Sequence, residues 1–355
     1  MDHGFPRLLG DVGGTHARWA WQADPASPLQ DISVVRCNAN ASLYESASQY
    51  LAQRCVEPIR AAGIGIATAV SGDDVRMTNH PWTFSIRDLQ RCLGVERCLV
   101  INDFTALALS LPALGPADLL AIGDRDGERD GNGDGDGNGN GNGNGDGDGD
   151  RNGNRNGNAA ASGTVFGLLG PGTGLGVSGL MSLAGGAWSA LSGEGGHVTL
   201  AAADEREAAV LALLRARCGH ASAERALSGP GLVTLYDALC RLDGTLPAPL
   251  QPTDVSTAAL NGSDAHCVQA VSLFASLLGN VAGNLALTLG ARGGIYLGGG
   301  VVPRLGSAFD AALFRRRFED KGRFAPYLAA VPTWLITAAT PALTGVARAL
   351  DTLPG

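Results

Sequence analysis

Residues 124–158 contain only five residue types: 13 Gly, 9 Asn, 8 Asp, 4 Arg and a single Glu. None of these side chains can enter an apolar core, and glycine loses the most backbone freedom on ordering. The stretch is therefore expected to be a disordered loop. Any core must be built from the residues on either side of it. Alternating Asp-Gly resembles acidic calcium-binding repeats, but those place an apolar residue at a fixed step so that the turns can stack. Residues 124–158 have none. A loop with nearby ends tolerates such length, because doubling it costs only about 0.6 kcal/mol of closure entropy.

The same stretch carries −5 of the chain's net charge of −8, which leaves −3 on the other 320 residues. With no block of Lys and Arg, that balance argues against a nucleic-acid partner and suits an enzyme of small metabolites. At 355 residues and 45% hydrophobic content, two soluble domains are the natural expectation. No uninterrupted apolar run approaches the ~20 residues of a membrane span, so no membrane partner is expected. Met1 to Leu9 lacks the basic start and long apolar stretch of a signal peptide. Seven scattered cysteines with no Cys-x-x-Cys pair indicate neither a zinc site nor a disulfide framework, and read as free buried thiols in a reducing cytosol.

Short apolar runs predict strands at Arg7–Gly10, Ala17–Gln22, Gly63–Ala67, Cys98–Ile101, Val165–Leu169, Gly176–Met181, Gly294–Leu297 and Trp334–Thr337. Helical periodicity covers Ser42–Arg54, Ile86–Cys92, Thr105–Leu111, Asp204–Cys218, Gly229–Leu242, Ala265–Leu289 and Ala342–Leu350. Strands alternating with helices argue for α/β layers. The first two strands, joined by glycines, read as an antiparallel hairpin, which does not suit a plain dinucleotide-binding sheet.

Two glycine turns leave strands. In Gly10-Asp11-Val12-Gly13-Gly14-Thr15 the glycines allow a tight turn and bring N–H groups close to phosphate oxygens, Thr15 adds a hydroxyl, and Arg18 is a nearby cation. Asp11 would sit near a transferred phosphoryl, where a carboxylate serves mainly to hold hydrated magnesium. The bland alternative is a hairpin turn. The segment has neither a P-loop ending nor dinucleotide spacing. In Gly170 to Gly176, Gly172 and Gly174 would admit a phosphate to the backbone and Thr173 would donate to it, or the segment is another β-turn. Asn102-Asp103 closes a strand and opens a helix. Either residue could be an N-cap, but phosphoryl transfer to a hydroxyl also needs a base, a role Asp fills in protein kinases. Asn102, Glu194, His197 and Glu224 are candidate polar groups for a sugar. A satisfied core histidine is the alternative for His197, and a solvent-facing helix residue for Glu224.

Several segments together resemble the bacterial glucokinase family, within the sugar kinase and actin-like ATPase superfamily. They are Leu9 to Arg18, Met77 to Trp82, Ile101 to Ala106, the 170–176 turn, Gly193 to Val198, Ser222 to Arg225, Ser228 to Leu232, Gly298 to Arg304 and Phe318 to Phe324. The resemblance runs over nearly the whole chain apart from 124–158. It implies a two-lobed α/β actin-like ATPase (ribonuclease H-like) fold with a cleft. The small α/β lobe would comprise 1–113 plus 339–355, and the larger α+β lobe 114–338. It further implies ATP-dependent phosphorylation of the glucose 6-hydroxyl, with Asp103 as general base and Asn102, Glu194, His197 and Glu224 as sugar ligands. The turn at Gly10, Asp11, Val12, Gly13, Gly14 and Thr15 and the turn at Gly172, Thr173 and Gly174 would hold the phosphates of ATP. Gly298 and Gly299 would lie by the adenosine, with Mg2+ near Asp11 through water. A cytoplasmic homodimer is implied as well. His16 stands where many members carry Asn. The alternatives are a kinase of fructose or mannose and a non-catalytic sugar-binding regulator; Asp103 and the absence of a cysteine-rich motif after His197 argue against the regulator.

Overall fold

A computed structural model describes residues 4–54, 58–123 and 161–352; the loop reading of 124–158 falls outside them. β1 (Arg7–Val12) is largely buried because strands flank it on both sides. It runs antiparallel to β2 (His16–Gln22), which pairs in turn with β3 (Gln30–Arg36). On its other side β1 runs parallel to β4 (Ala61–Ile66). β5 (Asp74–Arg76) and β6 (Thr83–Ser85) form a separate hairpin, and β7 (Arg97–Asn102) completes the sheet parallel to β4. The order is β3-β2-β1-β4-β7. Gly10 of β1 faces Trp19 of β2, whose Cζ3 lies 2.6 Å from where a Cβ would stand, so bare backbone here makes room for the indole.

A second sheet contains β8 (Leu119–Ala121), β9 (Val165–Pro171), β10 (Leu175–Ser182), β11 (Trp188–Gly193), β12 (Gly294–Leu297) and β13 (Thr333–Ile336). Its order is β11-β10-β9-β12-β13-β8. Apart from β8 at the edge, it repeats the first sheet in order and sense. An antiparallel meander of three strands is followed by two parallel ones. The glycine turns occupy equivalent places, between β1 and β2 and between β9 and β10.

Helix Asp103–Ser110 leaves β7 and crosses helix Pro341–Asp351. The crossing is close because Gly345 has no side chain: a Cβ there would strike the carbonyl of Ala106. Helix Pro341–Asp351 then lies on the first sheet, burying Leu343, Val346 and Leu350 against Leu9, Ala20 and Ala106. The helix Ala265–Leu289 runs through the larger core beside the second sheet. By length and composition it could cross a membrane, although its apolar run is broken by Ser272, Ser276, Asn280, Asn284 and Thr288 at every fourth position. Its apolar surface is occupied by protein. Gly279 and Gly283 let helix Ala311–Glu319 approach until the carbonyls of Phe314 and Phe318 fill the space of a Cβ. Buried Glu207 accepts from Ser276 (2.9 Å) and Arg317 (3.1 Å), tying both helices to helix Glu205–Cys218.

All the strands and helices read from sequence are present, with ends shifted by at most two residues. β3, β5, β6, β8 and β11, the helices Pro252–Asn261 and Ala311–Glu319, and the short helices Ala223–Ala226, Val301–Leu305 and Ala325–Ala329 are additional. The thiols only partly match expectation. Cys37, Cys240 and Cys267 are buried, but Cys98 and Cys218 are half-buried and Cys92 is exposed, while Cys55 lies outside the described residues.

Candidate active site

β1, β4 and β7 are parallel neighbours, and their register aligns Val12, Ile66 and Asn102. Chemistry gathers where such strands end, because the loops beyond them are free to carry polar groups while the sheet holds them rigidly. Asn102 settles which residue caps the following helix. Its Oδ1 accepts the N–H groups of Phe104 (2.9 Å) and Thr105 (3.2 Å), and its Nδ2 donates to the carbonyl of Thr68 (3.2 Å). An amide nitrogen carries two hydrogens, so one remains to donate to a ligand. Asp103 is thereby relieved of capping. Burial and the neighbouring Asp11 carboxylate raise its pKa to about 6, Glu194 adds to the rise, and the Phe104 N–H opposes it.

Asp11 sits one residue before the end of β1, where its register partner on β2 is Arg18. The two form an ion pair at 3.0 Å. Burial still raises the Asp11 pKa above the usual carboxylate range, against the pull of Arg18. The turn beyond it is held by a Gly13 N–H bond to the carbonyl of His16 (2.9 Å) and by the Cys37 N–H on the carbonyl of Thr15 (2.9 Å). Gly14 needs space rather than unusual torsion: a Cβ would stand 2.9 Å from that of Asn79. Thr15 and His16 are exposed.

The second turn uses its glycines differently from the sequence expectation. The space beside Gly174 is filled by the carboxylate of Glu224, whose Oε2 accepts the N–H of Leu175 (3.0 Å). Glu224, on the short helix Ala223–Ala226, therefore already leans on the turn, with Oε1 left for a ligand. Gly172 is bound on the outside by the N–H of Gly229 (2.8 Å). Gly170 and Gly176, beyond the turn proper, abut the ring of Phe104. Gly298 and Gly299 follow β12 and lie against this hairpin. The Gly298 N–H donates to the carbonyl of Leu169 (2.7 Å), while Gly299 has φ +75° and sits so close to Pro171 that its carbonyl excludes a Cβ. Thr173 points into solvent.

Glu194 and His197 follow β11, on either end of a single 3-10 turn. Their side chains are 65% and 60% exposed and 4.0 Å apart, so His197 is no buried core histidine. The Ala223 N–H on the carbonyl of Val198 (2.9 Å) ties this turn to the helix bearing Glu224. Asp11, Asp103, Glu194, His197 and Glu224 thus border one region, with both glycine turns beside it. A crevice of about 420 Å³, lined by Arg7, Gln22 and Arg348 among others, lies at the opposite end of β1, away from this region.

Sequence reading missed Phe104 as a packing element and Asn79 as the neighbour of Gly14. A signal existed for the first: residues 170 and 176 are symmetric about the turn at 173, so their register pairing follows from a hairpin.

The duplicated sheet, with a glycine turn in each copy and a carboxylate at a strand end of the first, defines a protein of the two-lobed actin-like ATPase fold. The sequence model of the Glucokinase family matches residues 8–147 and 151–353, and the chain belongs to that family. It is 48% identical over 348 residues to the glucokinase of Aromatoleum aromaticum, covering 98% of this chain and 95% of that protein. It is 47% identical over 350 residues to the glucokinase of Chromobacterium violaceum, covering 99% and 90%. Among solved structures, a glucokinase from an Antarctic psychrotroph matches with a TM-score of 0.79 at 29% identity, over 99% of this chain and 100% of that one.

Proposed function

We propose that the protein transfers the γ-phosphoryl group of ATP to the 6-hydroxyl of glucose, giving glucose 6-phosphate and ADP. The observation that carries this reading is Asp103: a carboxylate relieved of capping by Asn102, with its pKa raised to about 6, in the same region as the two glycine turns. Near neutral pH it is ionised, yet more basic than an ordinary carboxylate. It accepts the hydroxyl proton as the sugar oxygen bonds to phosphorus and the bond to ADP breaks. The spare N–H of Asn102, the exposed pair Glu194 and His197, and Oε1 of Glu224 hold the sugar. The turns at 10–15 and 172–174 hold the phosphates, and Gly298–Gly299 borders the adenosine.

Among the described residues no cluster of three or more metal-ligating side chains exists. This fits magnesium, which keeps its waters and binds chiefly through nucleotide phosphates. Asp11, whose raised pKa shows incomplete compensation by Arg18, would hold it through water. When bound, magnesium neutralises charge on the β- and γ-phosphate oxygens.

The reading divides the chain into a small lobe, 1–113 plus 339–355, and a large lobe, 114–338. The packing of helix Pro341–Asp351 on β1 and β4 supports that division. A cytoplasmic homodimer is part of the same reading.

Formation of ADP from Mg-ATP, measured with glucose, fructose, mannose and no sugar, tests it. Glucose-dependent turnover is the expected result, with kcat falling at least ~100-fold in Asp103→Asn. Turnover on fructose or mannose alone transfers the activity to another hexose, and glucose binding with no turnover on any sugar makes the chain a binding protein.

A further inference from the structure

We infer that Phe104 is a positioning residue, whose ring lies across the facing glycines Gly170 and Gly176 and thereby fixes Asp103 relative to the second glycine turn. The inference rests on the reading of Asp103 as the base.

Gly170 of β9 and Gly176 of β10 are register partners, so the hairpin presents two bare Cα atoms at one level, each two residues from the turn 172–174. A Cβ added at Gly170 would fall on Cζ and Cε1 of Phe104; one added at Gly176 would fall on Cδ2 and Cε2. These are different edges of the same ring, which therefore spans the pair and rests on both strands. The backbone of Phe104 acts on the other side, its N–H donating to Oδ1 of Asp103 and to Oδ1 of Asn102, each at 2.9 Å. One residue thus grips the carboxylate with its main chain and the hairpin of the second sheet with its side chain. The next residue adds a second tether, with Oγ1 of Thr105 lying 2.9 Å from Oγ of Ser192 on β11.

Glycine inside a strand is destabilising relative to alanine, because it gives up more backbone freedom on folding. Here two of them face each other where the ring sits. An aromatic needed only for apolar cover could rest on alanine or valine, whereas the two glycines let the ring lie directly on the backbone of both strands. Rigid placement matters because in-line transfer is sensitive to shifts of about 1 Å.

The test uses the full-length protein and three variants, Phe104→Leu, Phe104→Met and Gly176→Ala. Glucose-dependent ADP formation gives kcat and KM, calorimetry gives glucose affinity, and thermal unfolding reports folding. Each variant is expected to lose on the order of 10- to 100-fold in kcat, with glucose affinity within about threefold. The acid limb of kcat/KM should move below about 6 in Phe104→Leu, as water reaches the carboxylate. Methionine adapts its shape to a vacated slot, so Phe104→Met folds even if Phe104→Leu does not, and it must still lose kcat. A lowered unfolding temperature with kcat within twofold of wild type overturns the inference, as does a loss carried wholly by glucose affinity. Absence of glucose turnover in the wild type refutes the kinase reading instead.

Discussion

The two sheets share one plan and put it to different uses. In the first, the glycine hairpin carries charge: Asp11 and Arg18 face each other across it, and β7, separated from β1 by β4, ends at Asn102 directly before Asp103. In the second, the equivalent hairpin has bare backbone at every other position, with glycine at 170, 172, 174 and 176, and the strand beside it, β12, is followed by Gly298 and Gly299. A phosphoryl-transfer site needs groups that move protons or attract cations, and it also needs surface that stays out of the way. The two sheets supply one each, with Phe104 crossing between them.

The largest effect that separates the copies is on turnover. Asp103→Asn should lose at least ~100-fold in kcat, while wild-type kcat/KM should fall on the acid side with a midpoint of about 6. An acid limb centred near the ordinary carboxylate value would mean that Asp103 is not the titrating base.

The next effect is on stability. A carboxylate whose folded pKa exceeds its unfolded one favours the folded state below the unfolded value, and that advantage is lost as pH rises through the folded value. Asp103→Asn should therefore be more stable than wild type at pH 8, by on the order of 1–3 kcal/mol. The gap should shrink as pH falls from 6 towards 4. Denaturant unfolding at these pH values measures it, and a gap independent of pH would contradict the charge assignment.

Smaller effects distinguish the turns. Gly14→Ala drives a methyl to 2.9 Å from the Asn79 Cβ and should cost roughly 1–3 kcal/mol of stability. At Gly172 the nearest atom to an added Cβ is 4.0 Å away, so Gly172→Ala should leave stability within about 0.5 kcal/mol. Its KM for ATP should nevertheless rise, since the methyl projects where phosphate is expected. Equal destabilisation of the two variants would remove the distinction between a packed turn and an open one.

Much of this was legible in the sequence because it is local. An apolar run ending in Gly-Gly-Thr or Asn-Asp reveals a strand and its terminus within six residues. The edge strands β3 and β11 were not seen, since exposure on one side leaves residues such as Gln30, Asp31 and Ser189 without a strong apolar pattern. Helix Ala311–Glu319 was hidden by Arg315, Arg316 and Arg317, although Arg315 and Arg317 have carboxylate partners in Glu319, half-buried, and Glu207, buried. The site residues were named from the resemblance. What sequence could not supply was their mutual support: that Glu224 fills the place beside Gly174, or that Gly170 and Gly176 bear the Phe104 ring. Those facts depend on contacts between segments about 50 and 70 positions apart.

The cover that helix Pro341–Asp351 provides for β1 and β4 has a consequence for how the chain acquires its structure. Arg7 and Asp351, joined at 2.8 Å, are 344 positions apart. During synthesis the first sheet emerges early, and its apolar face, including Leu9 and Ala20, stays uncovered until the helix containing Leu343 and Val346 leaves the ribosome. Contacts of such separation are closed late because the entropy of loop closure comes before any reward. Pulse-labelled hydrogen exchange during refolding should accordingly find β1 and β4 protected no sooner than residues 341–351. Earlier protection of the strands would show that the sheet matures without its lid, and that the nascent chain has no need of a chaperone to shield that face.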